Sequence, residues 1–230
     1  MRPAIFFFLV ALFVSACERS NSFSAPPCPH DLHNDRMPAF QIVLSTVPTV
    51  IRRDLDINDI SNLGGTESIG PHGRLQGLMS VEDRQRTRTE ITVARNFLGG
   101  ASCAWIKTLS IDITPPKFEI FIPREYPENS CEYEQILLHE KQHEQTAREM
   151  LFEEKEKLRS AFEKADWLPA RGTPLSVSDR AEADKRIIKM VDNISAPVYE
   201  DIKRRFTDRQ HVIDLPENYR WVSQRCRGWK

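Results

Sequence analysis

The chain has 230 residues, a formal net charge of −1 and 28% charged residues. A charge balance so close to neutral excludes the strongly basic composition of many nucleic-acid-binding proteins, so we expect no nucleic acid partner. Without the N-terminal segment described next, roughly 200 residues remain, which are enough to bury one sizeable core. The sequence shows no internal repeat, which argues against a solenoid.

An uninterrupted apolar run occupies residues 4–14. It is too short for an ordinary membrane span but suits the apolar part of a secretory signal. The run ends in Val14-Ser15-Ala16-Cys17, which resembles the lipobox of bacterial lipoproteins. The resemblance implies a signal peptide over residues 1–16 and an acylated Cys17 that anchors the chain on the periplasmic side of the envelope. Glu18 follows that cysteine, and by resemblance to enterobacterial lipoproteins this residue favours sorting to the outer membrane. The alternative is an ordinary cleavage site beside a structural cysteine.

Residues 17–38 are rich in Ser, Asn and Pro and predict a tether, which leaves residues 39–230 as the folded domain. Apart from Cys17, the cysteines are Cys28, Cys103, Cys131 and Cys226. In an oxidising compartment an even number predicts two disulfides, in one of three connectivities. We favour Cys103 with Cys131, tying a strand to a helix, and Cys28 with Cys226, pinning both ends of the domain.

The first half of the domain has the pattern of an antiparallel β-sheet. Four short segments are rich in β-branched or aromatic residues: 40–44, 91–93, 109–113 and 118–122. Pro115-Pro116 separates the last two and predicts a hairpin-like reversal between them. The second half predicts a helical hairpin, with helices over about 131–165 and from about 179, and with Pro197 kinking or dividing the second helix. The expected fold class is therefore α+β, with the sheet first and the helices second.

The first of these helices contains His139-Glu140-Lys141-Gln142-His143, the HExxH pattern of zinc hydrolases. Four residues on a helix separate the histidines by about 40° around the axis and ~6 Å along it, so both imidazoles point toward one ion. Glu140 lies to the side of that face, where it can act as general base on a zinc-bound water whose pKa falls to about 7. The alternative is a core His143 with a surface His139.

A catalytic zinc usually takes three protein ligands and leaves one position open. When the helical hairpin is counted outward from a turn near residue 171, the level opposite the histidines falls at about residues 199–211. That range contains His211, which we favour as the third ligand, followed by Asp208 and Glu200. Glu149 stands at the position of the third histidine in metzincins, but Thr146 replaces their turn-making Gly, so that family is disfavoured.

The stretch from about Ser102 to His143, with the later Asp208-Arg209-Gln210-His211, resembles a family of secreted Gram-negative proteins described as zinc-dependent proteases. The matching features are the strand over 118–122, Cys131-Glu132-Tyr133, and Leu137-Leu138 before the HExxH motif. The resemblance implies an exported metallopeptidase that acts on peptide bonds in the cell envelope, with zinc as its cofactor. Asp208 lies closer to His211 than the family pattern has it, and Val212 replaces the following Gly.

Two other functions stay open. The chain could be a non-catalytic envelope lipoprotein that binds or scaffolds a partner, in which case zinc would be structural or absent. It could instead hydrolyse the peptide cross-links of peptidoglycan, which only its predicted location suggests. As the substrate-binding element we expect the strand over residues 118–122, which could pair through its edge with an extended peptide.

Overall fold

The computed structural model describes residues 28, 37–64, 77–82, 85–95, 101–115 and 117–227. The predicted signal peptide and the acylated Cys17 lie outside these residues, as does most of the predicted tether. The α+β class is confirmed, with sheets in the first half and long helices in the second. The described elements are β1 (Ala39–Leu44), β2 (Thr49–Arg52), α1 (Ile57–Gly64), β3 (Leu78–Val81), β4 (Gln85–Ala94), β5 (Ser102–Ile113), β6 (Phe118–Phe121), α2 (Cys131–Glu163), β7 (Leu175–Val177), α3 (Arg180–Ile213) and α4 (Pro216–Gln224).

The described strands form two sheets rather than one. The larger has the order β1-β5-β4, with β7 also paired to β5, and the smaller has the order β2-β6-β3. Most pairs are antiparallel as expected, but β1–β5 and β2–β6 are parallel. The predicted reversal around Pro115-Pro116 is wrong, because β5 and β6 belong to different sheets. Instead, the chain leaves the larger sheet after β5 and enters the middle of the smaller one.

The two long helices begin within one residue of the predicted positions 131 and 179, although Asp179 caps the second helix and not Ser176 or Ser178 as the sequence suggested. The Ser130 hydroxyl accepts the Tyr133 backbone N–H at the start of α2, and the Asp179 carboxylate accepts the Glu182 backbone N–H at the start of α3. Pro197 does not divide the second helix, which is continuous through it. Because both halves of α3 pack against other elements, tertiary packing offsets the local penalty of a proline in the helix.

The main core lies between the larger sheet and the helices. Most of its fully buried side chains come from β5, from the second half of α2 and from α3, including Leu109, Ile111, Ile113, Leu158, Phe162 and Ile187. The first half of α2 faces the smaller sheet, where Ile120 and Ile136 are buried together. Both the larger and the smaller sheet therefore rest on α2. None of the described helices is long and apolar enough to cross a membrane.

Ion pairs show how α2 and α3 are aligned. Lys157 pairs with Asp201, and Arg205 binds Glu153 with an N–O distance of 2.6 Å. The start of α3 therefore extends well beyond the end of α2 and packs on the larger sheet, where Arg180 donates to the carbonyl oxygen of Ile91. As a result, the HExxH residues lie opposite the last turn of α3 and not opposite its middle.

The predicted number of disulfides is confirmed, but the favoured pairing is wrong. Cys28 is bonded to Cys103, and Cys131 to Cys226, each with a Cα–Cα distance of 5.6 Å. Cys103 begins the long strand β5 and lies on the larger sheet, away from the start of α2. Cys131 instead meets the C-terminal segment, because α4 folds back against α2. Cys28, which falls within the predicted tether, is thus bonded to the larger sheet.

Candidate metal centre

Three side chains converge at the end of the helical hairpin: His139, His143 and Asp214. The two Nε2 atoms of the histidines lie 3.2 Å apart. Asp214 Oδ1 lies 3.0 Å from Nε2 of His143 and 3.3 Å from Nε2 of His139. Two imidazole nitrogens and one carboxylate oxygen therefore surround a single point, and the cluster could hold a metal ion.

The helices that carry these side chains explain their convergence. His139 and His143 are four residues apart on the buried face of α2, where 5% and 7% of their surfaces are exposed. Asp214 is the C-cap of α3, and its backbone N–H donates to the carbonyl oxygens of Gln210 and His211. The carboxylate at this cap is thus directed across to the HExxH face at the level fixed by the ion pairs between α2 and α3.

Gln210 orients the ring of His143. The side-chain oxygen of Gln210 is within hydrogen-bonding distance of Nδ1 of His143, and the Gln210 amide nitrogen donates to the backbone oxygen of His143 at 3.3 Å. An amide oxygen can only accept, so Nδ1 carries the proton in this arrangement. In the neutral ring Nε2 is then the unprotonated nitrogen, which is the tautomer a metal ligand requires, whereas in the protonated ring Nε2 donates to Asp214.

Tyr219 of α4 completes the surroundings of Asp214. Its hydroxyl donates to Asp214 Oδ1 at 2.8 Å, and its ring centroid lies 5.0 Å from that of His139. Burial raises the pKa of the Tyr219 phenol, and the neighbouring Asp214 carboxylate raises it further. The hydroxyl therefore stays protonated and remains a donor throughout the physiological pH range.

The acidic and basic groups of the cluster stabilise each other's charged forms. Burial alone would raise the pKa of Asp214, but hydrogen bonds to His139 and His143 outweigh it and hold that pKa well below its usual range. Burial likewise opposes protonation of His143, but the contact with Asp214 outweighs it and raises the pKa of His143. Glu140 differs from both, since burial raises the pKa of its carboxyl group.

Glu140 is held by strand β3. Its carboxylate accepts the backbone N–H of Met79, and only 4% of its surface is exposed. Gly77, just before β3, makes this approach possible. A Cβ atom there would lie 2.6 Å from both Glu140 Oε1 and Ile136 Cγ2. The absence of a side chain at Gly77 thus brings the backbone of β3 directly onto the HExxH helix.

An open cleft of about 350 Å³ lies over this cluster. One wall is formed by the residues from Gly77 to Val81, and the opposite wall by the ends of α3 and α4. Glu140, His143, Asp214 and Tyr219 all line the cleft. Molecules that enter it would therefore meet two of the three candidate ligands and the acidic residue of the HExxH motif.

The structure brings together His139, Glu140 and His143 but not the predicted third ligand. His211 is exposed and contacts Asp214 through its backbone carbonyl oxygen. Asp208 and Glu200 are also exposed, and neither belongs to the three-residue cluster found among the described residues. Counting from residue 171 placed the wrong part of α3 opposite the histidines, because it ignored the part of α3 that extends beyond α2. The sequence does contain a local signal for the end of α3, because Pro216 marks the helix end. Asp214 stands just before that proline and four residues after Gln210.

The strand expected to bind a substrate through its edge does not lie at an edge of the sheet. The segment 118–122 contains β6, which is the middle strand of the smaller sheet and pairs on one side with β2 and on the other with β3. The strand beside the cleft is β3, which was not predicted. Its residues are hydrogen-bonded to β6 on one side only, among the described strands.

Comparisons with family models, with curated proteins and with solved structures give no significant match to this chain.

Proposed function

We propose that this protein is a zinc-dependent hydrolase, and specifically a metallopeptidase that acts on peptide bonds in the cell envelope. One observation carries the proposal: three ligand atoms surround a single point, and Glu140 lines the same cleft as two of the ligands, His143 and Asp214. His139, His143 and Asp214 are the proposed zinc ligands. Asp214 takes the role that we expected of His211.

The donor set and its spacing fit zinc. Nitrogen and oxygen ligands about 2.0–2.2 Å from a tetrahedral zinc ion lie roughly 3.3–3.6 Å from one another. The separations between the three ligand atoms are 3.0–3.3 Å, close to that geometry before any ion is bound. Imidazole nitrogens combined with a carboxylate are a common set for catalytic zinc, whereas structural sites usually have four protein ligands. Three ligands beside an open cleft therefore favour catalysis over a structural role.

When bound, zinc would act as a Lewis acid that polarises a carbonyl group and makes water more acidic. Glu140 would hold the attacking water and accept its proton, then return the proton to the leaving amine. Tyr219 would keep the Asp214 carboxylate in place through its hydrogen bond. Strand β3, which lines the cleft, would lie alongside an extended peptide.

The place of action follows from the N-terminal sequence. The apolar run over residues 4–14 and the Val14-Ser15-Ala16-Cys17 sequence support export and acylation at Cys17, followed by retention on the periplasmic side of the outer membrane. Substrates would then be polypeptides of the envelope or peptide cross-links of peptidoglycan. A cleft lined by an elongated strand suits an extended peptide of either kind.

Zinc analysis of the full-length protein tests the ligand set. We expect about one zinc per chain in protein purified without chelator and its loss in His143→Ala and Asp214→Ala. His211→Ala is the matched control, because it removes an exposed histidine one turn away and should keep the metal. Retention of zinc in Asp214→Ala, or its absence from the parent protein after zinc is added, would contradict the proposal.

Glu140→Gln tests catalysis separately from metal binding. The amide has nearly the same shape but cannot accept the proton, so cleavage of a peptide library should fall by at least 100-fold. Zinc content should not change, because Glu140 is not a ligand. Equal peptide cleavage by the parent and by Glu140→Gln would rule out this mechanism, whereas no cleavage by the zinc-loaded parent would favour a scaffolding lipoprotein.

A further inference from the structure

A second cavity lies next to the metal-site cleft, in the groove between α2 and α3. It has a volume of about 420 Å³, and Val81 and Phe206 line both spaces. This size lies within the usual range of small-molecule sites. The cavity therefore adjoins the cleft that contains the proposed catalytic centre.

The walls of this cavity are mainly apolar and well ordered by packing. Ala147, Met150 and Leu151 contribute from α2, each less than one-tenth exposed. Ile202 and Phe206 contribute from the facing side of α3. Water in such a space has few polar partners, so an apolar group would displace it favourably.

The charged residues of the cavity do not oppose this role. Glu154 is buried in the wall, and its carboxylate accepts a hydrogen bond from the Gln85 side chain. Glu200 and Lys203 are exposed at the rim, where both charges remain in water. The depth of the cavity is thus available to an apolar group, while the rim stays polar.

The position of the cavity relative to the metal site indicates which group enters it. Ala147 is four residues after His143, or about 6 Å further along the helix, and Met150 and Leu151 follow on the same face. That distance matches the reach of one large side chain from a peptide backbone bound at the metal. Ala147 also has the smallest side chain of the apolar wall, so a larger residue there would reduce the space nearest the metal site.

We propose that this cavity is a specificity pocket for a large apolar side chain, such as Leu, Met or Phe, next to the bond that is cleaved. The inference rests on the proposed function, since it assigns the substrate class of the same site. A side chain of this size buried there should improve binding by roughly tenfold or more over glycine.

Two zinc-chelating probes test the pocket without requiring turnover: acetyl-leucine hydroxamate and acetyl-glycine hydroxamate, titrated calorimetrically into the zinc-loaded full-length protein. We expect the leucine compound to bind at least tenfold more tightly. Ala147→Leu, which fills part of the cavity, should abolish that preference. Ala161→Leu is the matched control, because Ala161 lies on the same helix outside the cavity and should keep the preference.

The outcomes separate this inference from the proposed function. Equal binding of both hydroxamates to the parent protein would overturn the pocket and leave the metal centre intact. Failure of both to bind to zinc-loaded protein would overturn the catalytic centre and the pocket together. If Ala147→Leu does not fold, Met150→Ala provides the opposite test, because enlarging the pocket should favour a tryptophan hydroxamate over the leucine one; no such shift would overturn the pocket.

Discussion

One oxygen atom, Asp214 Oδ1, meets three groups of the candidate site. It faces the Nε2 atoms of His139 and His143, and it accepts the Tyr219 hydroxyl at 2.8 Å. A hydrogen bond from outside the ligand set fixes the orientation of a ligating carboxylate and reduces the freedom lost when the metal binds. The tyrosine is therefore a positioning residue for the proposed metal ligand.

Tyr219→Phe should weaken zinc binding roughly 10- to 100-fold, because it removes this hydrogen bond and keeps the ring beside His139. The dissociation constant can be measured by competition with a chromophoric chelator. Tyr133→Phe is the control, since the Tyr133 ring lies under Arg53 and a phenylalanine keeps that stacking. An unchanged zinc affinity in Tyr219→Phe would show that the Asp214 carboxylate is positioned without the tyrosine.

A substitution at Gly77 tests the position of Glu140 and not that of the proposed metal ligands. The Cβ atom of an alanine would approach Glu140 Oε1 and Ile136 Cγ2 to 2.6 Å. Either β3 or the Glu140 side chain must move, and we expect Gly77→Ala to lower the free energy of unfolding by about 1–3 kcal/mol. Peptide cleavage should fall while zinc content stays near one per chain. Loss of zinc together with activity would mean that β3 supports the whole centre.

The helices and strands show that the sequence predicted correctly those features that depend on residues close together in the chain. The start of α2 follows from the Ser130 cap, and the convergence of His139 and His143 follows from four-residue spacing on one helix. Asp214 was missed because its place depends on how far α3 slides along α2. That alignment is set by long-range contacts such as Lys157–Asp201 and Arg180–Ile91, which no local pattern reveals.

The strand topology was missed for a similar reason. Short runs of β-branched residues predict strands but carry no information about which strands pair. The parallel pairs β1–β5 and β2–β6 join segments far apart in sequence, and β3 is only four residues long. The edge beside the cleft could therefore be identified only from the three-dimensional structure.

The ionisation of Glu119, in the smaller sheet that contains β3, makes the stability of the protein depend on pH. Its carboxylate binds Lys117 at 2.8 Å and Arg52 at 2.9 Å. The hydrogen bond from Lys117 lowers the pKa of Glu119 below its ordinary 4.5, although burial opposes the shift. The folded state therefore holds this proton less tightly than the unfolded state, so the contribution to stability is complete above about pH 4.5 and is lost as the pH falls.

Glu119→Gln should lower the free energy of unfolding by about 1 kcal/mol at pH 7, because a neutral amide replaces a carboxylate that is hydrogen-bonded to two cations. In urea titrations the difference from the parent protein should shrink as the pH falls below about 4.5. Glu90→Gln provides the matched control, since its ion pair with Lys107 is exposed and should contribute little. A pH-independent difference would assign the effect to packing.

For the whole molecule, the two disulfides have different relations to the proposed centre. Cys131 is the first residue of α2, and Cys226 follows α4, so their bond ties the HExxH helix to the helix that carries Tyr219. The Cys28–Cys103 bond attaches to the larger sheet, away from these helices. Only the first bond holds together the two parts of the chain that supply the candidate ligands and their positioning residue.

Serine pairs at the two disulfides separate global stability from site geometry. The bridged cysteines are 95 and 75 residues apart, so loss of either bond should release similar chain entropy and destabilise the protein by about 4–5 kcal/mol. Zinc affinity should nevertheless fall about tenfold or more only in the Cys131→Ser/Cys226→Ser variant, because α4 is no longer held against α2. Chelator competition at a temperature where circular dichroism shows both variants folded measures this difference. Equal zinc affinities would mean that the packing of α4 on α2 positions Tyr219 without the covalent bond.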